Sequence, residues 1–489
     1  MIFDHDMIVL GGGSAGYAAA CTARDAGADV AIVDPGPLGG LCILRGCMPS
    51  KAILRSSDIM SLLRRAGEFG LRASDIGADL GAIIDRKDRL IRDFADYRVE
   101  QLRGFTLYED YGRFLTPHQI DVGGRTLSAP SFIIATGSVI SHVPIPGLTE
   151  AGYITSDEVL ELRDPPASML VLGAGSVACE LAQFYCRIGV EVTIIQRSHH
   201  ILSAVDEDLA RPVEARFRDE GMTLFTGTQL HRFETRDGQK VAHFSHEDEA
   251  KTATAQLIFQ ALGRRPNTAG LDLDKAEVQV GDNGITVDAE MRTHQPHIFA
   301  VGDVNGIHEI VHIAIQQAEV AGHNATHTDA PQRGVDERLT MEVTFTDPQV
   351  ATVGLTENGC QAGDVPYRVA SYPFDDHGKS MTLGETHGLV KVLCDPRTGE
   401  ILGAGLCGPE VGELVHELAA ILYFRGTVTD LARIPHYHPT LAEILTYPAE
   451  ELAEAIGHQA NPESASTPPP ASPDHRPAPD PGAVESSCR

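Results

Sequence analysis

The chain has 489 residues, with 39 Lys+Arg against 68 Asp+Glu and a formal net charge of −29. That length spans about three domains and buries an ample core, while the acidity sets the chain against nucleic-acid phosphates and anionic lipid. The nine cysteines are odd in number and scattered, unlike a secreted disulfide scaffold, and no run of about 18 apolar residues marks a transmembrane helix. The start, MIFDHDMIVL, has no basic n-region, so the expectation is a cytoplasmic protein with no membrane or nucleic-acid partner.

Short apolar strands, Gly-rich turns and amphipathic helices alternate along most of the chain, which predicts an α/β fold with parallel sheets. The first strand, from Met7, runs into Gly11-Gly-Gly-Ser-Ala-Gly16 and a helix. The next strand, Asp29-Val-Ala-Ile-Val-Asp34, ends on an acidic residue 23 positions after Gly11. The glycines let the backbone approach a pyrophosphate at the helix N-terminus, and Asp34 can accept hydrogen bonds from ribose hydroxyls. A Gly-rich turn in another α/β fold would share the spelling without this flanking order.

Next comes Gly39-Gly-Leu-Cys42-Ile-Leu-Arg-Gly46-Cys47-Met-Pro49-Ser-Lys51. Two core cysteines or two metal ligands would give the same C-x4-C spacing. Residues five apart on a straight helix lie roughly 8–9 Å apart, whereas a disulfide needs Cα atoms within about 7 Å. The functional reading, a reducible disulfide, therefore needs a broken turn, which Gly46 permits. Pro49 suits a first helical turn, and a Cys47 at that helix start gains thiolate character from the dipole.

The stretch Met169-Leu-Val-Leu-Gly173-Ala-Gly175-Ser-Val-Ala178 repeats the first motif, so two dinucleotide-binding domains are expected. Here the position matching Asp34 is Gln196, followed by Arg197. A carboxylate there would bind a 2′-OH and repel a 2′-phosphate. Gln196 removes the repulsion and Arg197 can pair with the phosphate, which predicts NADPH over NADH. The plainer reading leaves Arg197 facing solvent. Cys21, Cys179 and Cys186 fall on helices behind the two loops and read as packing residues.

Further on, His308-Glu309-Ile-Val-His312 fits the HExxH pattern of zinc proteases. It sits directly behind Gly302-Asp303, and a catalytic zinc also needs a third protein ligand. No metal is expected. From about residue 340, MEVTFTDPQVATVGLTE and VKVLCDPRTGEILGAGLCG read as strands with a turn at Asp395–Gly399, and VGELVHELAAILYFRG as a helix. Then follows Pro435-His436-Tyr-His438-Pro439-Thr440-Leu-Ala-Glu443. Eight of the last 31 residues are Pro, so 459–489 reads as a disordered tail carrying one passive thiol, Cys488.

As a set, GGLCILRGCMPSK, Phe132-Ile-Ile-Ala-Thr136-Gly137, Gly263-Arg-Arg-Pro-Asn267, His297-Ile-Phe-Ala-Val-Gly-Asp303 and His438-Pro-Thr-Leu-Ala-Glu443 resemble the flavoprotein disulfide reductases over about residues 5–455. That family includes dihydrolipoamide dehydrogenase, glutathione reductase and mercuric reductase. The resemblance implies Rossmann-like domains for FAD (1–150 and 271–338) and NAD(P) (151–270), and a C-terminal α+β dimerisation domain (339–458). It makes Cys42 the thiol that attacks substrate and Cys47 the thiol against the flavin. Lys51 and Glu180 become an ion pair beside flavin and nicotinamide. His438 becomes the acid–base group, oriented by Glu443 and completing the partner subunit's site in a homodimer, while His436 is structural. FAD would be held by Gly11, Gly13, Ser14, Gly16, Asp34, Lys51, Gly112, Thr136, Gly137 and Asp303. NAD(P)H would be held by Gly173, Gly175, Ala178, Gln196, Arg197 and Gly263.

The substrate signals diverge. HPTLAE and His312 lean toward dihydrolipoamide dehydrogenase, which implies a small dithiol/disulfide substrate such as a lipoyl group. Gln196, Arg197 and Ala178 lean toward an NADPH-dependent reductase of another disulfide or a metal ion. The lone Cys488 cannot form the C-terminal Cys pair of mercuric reductases. A flavin-binding protein without turnover is the reading from another class, and the retention of Cys42, Cys47, His438 and Glu443 weighs against it.

Overall fold

The computed structural model describes residues 2–460, so the Pro-rich segment and Cys488 lie outside the described residues. Strand β1 (Met7–Leu10) is apolar and buried throughout, as a central parallel strand covered on both faces must be. Then come α1 (Ser14–Asp25), β2 (Val30–Val33), α2 (Gly40–Arg45), α3 (Cys47–Arg64), α4 (Leu80–Leu102), β3 (Thr106–Tyr108) and β4 (Ser131–Ile134). A second unit contains β5 (Ser168–Leu172), α5 (Ser176–Arg187), β6 (Glu191–Ile195), α6 (Glu207–Asp219), β7 (Thr223–Phe225) and β8 (Leu257–Gln260). Its strands pair in parallel in the order β7-β6-β5-β8.

Strand β9 (Ile298–Ala300) then returns to the first unit and completes a parallel sheet of order β9-β4-β1-β2-β3. The second unit is thus inserted in the chain of the first. Helix α7 (Val311–Thr326) packs on the small-residue face of α1. Gly322 allows the close approach, because a Cβ there would lie 2.9 Å from the Ala19 carbonyl oxygen.

The remainder is α+β. Strands β10 (Met341–Thr344), β11 (Gln349–Gly354), β12 (Arg368–Pro373), β13 (Leu389–Cys394) and β14 (Ile401–Gly408) form an antiparallel sheet of order β10-β11-β14-β13-β12. Helices α8 (Val411–Tyr423) and α9 (Thr446–Ala460) bury their apolar faces in its core. The expected turn closes at Asp395, whose Oδ1 accepts the Arg397 and Thr398 amides at 2.8 Å each. The α/β class, two parallel sheets and the C-terminal antiparallel domain all agree with the sequence reading. No helix among the described residues is long and apolar enough to cross a membrane.

Candidate active site

The two glycine motifs fold alike. Gly11 and Gly173 adopt φ +107 and +92, and a Cβ on either would strike the carbonyl oxygen of Ala135 or Ala261 at 2.3 or 2.6 Å. Gly16 packs onto the loop itself, since a Cβ there would sit 1.8 Å from the Gly11 oxygen. Ala178 replaces that third glycine in the second motif and is buried without it. Gly13 and Gly175 are the N-cap residues of α1 and α5, with no side-chain cap and no acidic residue in the first turn. Ser14 opens α1. Their first N–H groups are left for an outside anion, which suits the pyrophosphates of FAD and NAD(P)H. A Cβ on Gly175 would meet nothing within 4 Å, so the backbone is open to a ligand there. A cavity of about 130 Å³ opens beside it, lined among others by Ser176, Ser203, Glu342 and Thr344.

Asp34 and Gln196 stand just past β2 and β6, at the carboxyl edge where such sheets bind ligands. Asp34 accepts the Gly12 and Gly36 amides at 2.6 and 2.7 Å, closing the first loop beneath its carboxylate. Gln196 is buried, while Arg197 is exposed and makes no ion pair among the described residues. Thr136 donates to the Asn267 carbonyl at 2.7 Å, which ties Gly137 to the 263–267 segment. Gly263 follows β8 and hydrogen-bonds Ser141. Gly112 packs on the ends of β1 and β2, where a Cβ would lie 2.8 Å from Leu10 Cδ2.

Asp303 accepts from Ser138 Oγ at 2.6 Å, and Arg264 donates to that same Oγ at 2.8 Å. Behind it, Gln317 Oε1 accepts the Gly302 amide at 2.8 Å and Asn305 Nδ2 at 2.9 Å. These supports were not found from sequence. Ser138 and Gln317 carried no signal, and Arg264 was visible only as a motif member.

The cysteine segment breaks where expected. Helix α2 holds Cys42, Gly46 interrupts the backbone at φ −125 and ψ −115, and Cys47 opens α3. Pro49 lies in the first turn. Both cysteines are free, and the Cys42 thiol hydrogen-bonds the Cys47 sulfur. That hydrogen bond from Cys42, with the charge of Lys51, draws Cys47 down to about 7 against partial burial. The same bond and burial push Cys42 up. One turn along α3, Lys51 Nζ donates to Glu180 Oε2 at 2.8 Å, joining α3 to α5. Glu180 is 4 % exposed, Lys51 33 %. The Phe345 ring centroid lies 4.6 Å from Lys51 Nζ.

His438 Nδ1 meets Glu443 Oε1 at 2.8 Å, with the ring 82 % exposed and the carboxylate 19 %. Glu443 also accepts the Thr440 amide at 2.7 Å. That bond first, then His438, holds its carboxyl below the usual range. His436 instead spans Glu417 and the Ile434 carbonyl, as a structural residue does. His377 is a neighbour the sequence reading missed. It is buried, its Nδ1 meets Ser380 Oγ at 2.8 Å, and its charged surroundings are Glu443 and His438.

The HExxH segment does not place its two histidines on one helical face. Helix α7 starts at Val311, so His308 lies outside it and points to Glu337 at 3.3 Å. His312, in the first turn, is half-buried and lowered by that burial and by His416. Cys21, Cys179 and Cys186 lie on α1 and α5; Cys179 is fully buried, the other two in part.

Two family models cover this architecture: a pyridine nucleotide-disulphide oxidoreductase model matches residues 5–318, and the dimerisation domain of the same family matches 340–449. The chain is 35 % identical to a dihydrolipoyl dehydrogenase of Thermus scotoductus over 470 residues, 94 % of this chain and 99 % of that one. It is 31 % identical to a mercuric reductase of Staphylococcus aureus over 444 residues, 90 % of this chain and 81 % of that one. The crystal structure of LpdA from Mycobacterium tuberculosis superimposes with a TM-score of 0.82 at 27 % identity, covering 91 % of this chain and 99 % of that one. With its two uncapped glycine loops, its C-x4-C helix break and its C-terminal sheet, the chain belongs to the pyridine nucleotide-disulphide oxidoreductase family.

Proposed function

We propose that this protein moves two electrons between NAD(P)H and a small disulfide or dithiol, as a homodimer in which His438 completes the partner's site. The observation that carries the reading is the placement of Cys42 and Cys47 on either side of the helix break at Gly46, one turn ahead of the Lys51–Glu180 ion pair. The exposed His438–Glu443 dyad supports the dimeric part, because an acid–base group open to solvent needs a covering surface to act on a thiol. When bound ahead of α1, FAD would supply a two-electron carrier between nicotinamide and the cysteines.

In the disulfide-reducing direction, Cys42 attacks one substrate sulfur as His438 of the partner subunit takes its proton. The substrate S–S bond breaks, and the departing sulfur receives that proton from the imidazolium. Cys47 thiolate then attacks Cys42 in the mixed disulfide, releasing the second substrate thiol with a solvent proton. The electron pair from NAD(P)H restores the dithiol. The raised Cys42 explains the need for a base, and the lowered Cys47 keeps the second attack ready near neutrality.

Lipoamide is the first substrate to try, given the dihydrolipoyl dehydrogenase relatives. A second reading, an NADPH-driven reductase of another disulfide or a metal ion, is favoured by Gln196 and the exposed Arg197, which present no carboxylate to a 2′-phosphate. Anaerobic titration of the purified protein with NADH and NADPH tests both. A thiolate–flavin absorption band at two electrons and a higher kcat/KM for NADPH are expected. Lipoamide, glutathione disulfide, coenzyme A disulfide and Hg(II) then rank the substrates. Protein without flavin, or without that band, would overturn the proposal, and an NADH preference would overturn the cofactor assignment.

A further inference from the structure

Helix α5 presents a polar stripe at Ser176, Glu180, Gln183 and Arg187, spaced 4, 3 and 4 residues along one face. Glu180, Gln183 and Arg187 are almost fully buried. One segment of the C-terminal domain, 344–347, pairs with the whole stripe. Ser176 Oγ meets Thr344 Oγ1 at 2.7 Å. The Phe345 amide donates to Glu180 Oε1 at 2.9 Å. Gln183 clamps Asp347 twice, donating to its carbonyl and accepting from its amide, both at 2.8 Å. Arg187 pairs with the Asp347 carboxylate. On the other side, α3 supplies Lys51 to Glu180 and Asp58 to Arg187, at 2.8 and 3.2 Å. The pairs are seven residues apart on both helices, with their charges reversed.

The consequence lies at Lys51. Glu180 has its two oxygens divided between Lys51 Nζ and the Phe345 amide, and Lys51 sits between that carboxylate and the Phe345 ring. The placement of Phe345 therefore sets the placement of the charge beside Cys47. Phe345 is itself partly exposed, so what holds it is the clamp two residues on, at Asp347. We infer that Gln183 is a positioning residue: by clamping the Asp347 peptide it fixes Phe345, and so holds the Lys51 charge against the Cys42–Cys47 pair while the β10–β11 hairpin is docked on α5. The inference rests on the proposed redox role of the cysteines.

The test reads the thiol rather than turnover. The pH midpoint of iodoacetamide alkylation at Cys47 is measured in the reduced holoenzyme by peptide mass spectrometry. Gln183→Leu is close in volume and removes the two bonds to the Asp347 peptide together with the longer contact to the Glu220 carboxylate. It is expected to raise the midpoint by about half a unit or more, as Lys51 loosens. Phe345→Ala, at a partly exposed site, is expected to shift it the same way and decides the matter if Gln183→Leu does not fold. A Gln183→Leu protein with a lower Tm and an unmoved midpoint would make the clamp purely structural and overturn the inference. An unmoved midpoint in Phe345→Ala would do so as well. A protein inactive on every disulfide still reports the midpoint, so failure of the substrate reading remains separate.

Discussion

Cys47 combines three influences that the spelling C-x4-C does not contain: a helix start, a hydrogen bond from Cys42 and the Lys51 charge. Removing the cation disfavours the thiolate, so Lys51→Met should move the Cys47 alkylation midpoint upward from about 7. A downward or absent shift would refute this account of the thiol. At the proposed acid–base pair, the Thr440 amide and His438 hold the Glu443 carboxyl below its usual range. His438→Ala should leave flavin content unchanged and slow disulfide turnover by about 10²–10⁴-fold. Stopped-flow reoxidation of the reduced enzyme by substrate checks it. At this scale the motif residues were legible in the sequence, because a reactive group must sit at a fixed offset from the turn or helix end that activates it. His377 was not legible: one histidine among 21 gains meaning only from what the fold packs against it.

The loop–helix elements behave as the sequence reading expected, and sterics explain why. Gly16 has no room for even a methyl group against the Gly11 oxygen. Gly16→Ala should therefore displace the loop from the start of α1, costing about 1–3 kcal/mol by overpacking. Flavin-to-protein absorbance after purification should fall, while the second motif, which already carries Ala178, shows that the rule is local. The HExxH segment shows the complementary case. The pattern taken alone would put two histidines on one helical face, but the chain enters α7 only at Val311, after the turn that shapes Asp303. At the end of β6, Arg197→Glu should lower kcat/KM for NADPH by about 10–100-fold and spare NADH, since it replaces the cation proposed to pair with the 2′-phosphate by a carboxylate that repels it. Equal losses for both cofactors would remove Arg197 from the recognition of phosphate.

Across the whole molecule, buried charges stitch the units together. Lys391, on β13 of the C-terminal sheet, is buried against Asp206, Asp208 and Glu357, the first two belonging to the inserted unit. Lys391→Met leaves three carboxylates without their shared cation and should destabilise the fold by about 3–5 kcal/mol, read as a lowered denaturant midpoint. The proposed dimer has its own test. Mixing Cys42→Ser with His438→Ala protein and allowing subunit exchange should restore about a quarter of wild-type activity, because half the dimers then hold one intact site. No recovery would place His438 on its own subunit's cysteines.

The sequence by itself determined the α/β class, the paired glycine loops and the helix break between the cysteines, since each obeys rules acting over a few residues: allowed dihedrals, helix dipoles, capping and alternation of apolar side chains. The resemblance, not any local rule, supplied the Lys51–Glu180 pair and the His438–Glu443 dyad. Only the tertiary structure decided what supports Asp303 and how the three units hold one another: Gln183 meets Asp347 across 164 positions, and Lys391 meets Asp208 across 183. No local pattern specifies such pairs, and their strength depends on burial, which exists only once the chain has folded.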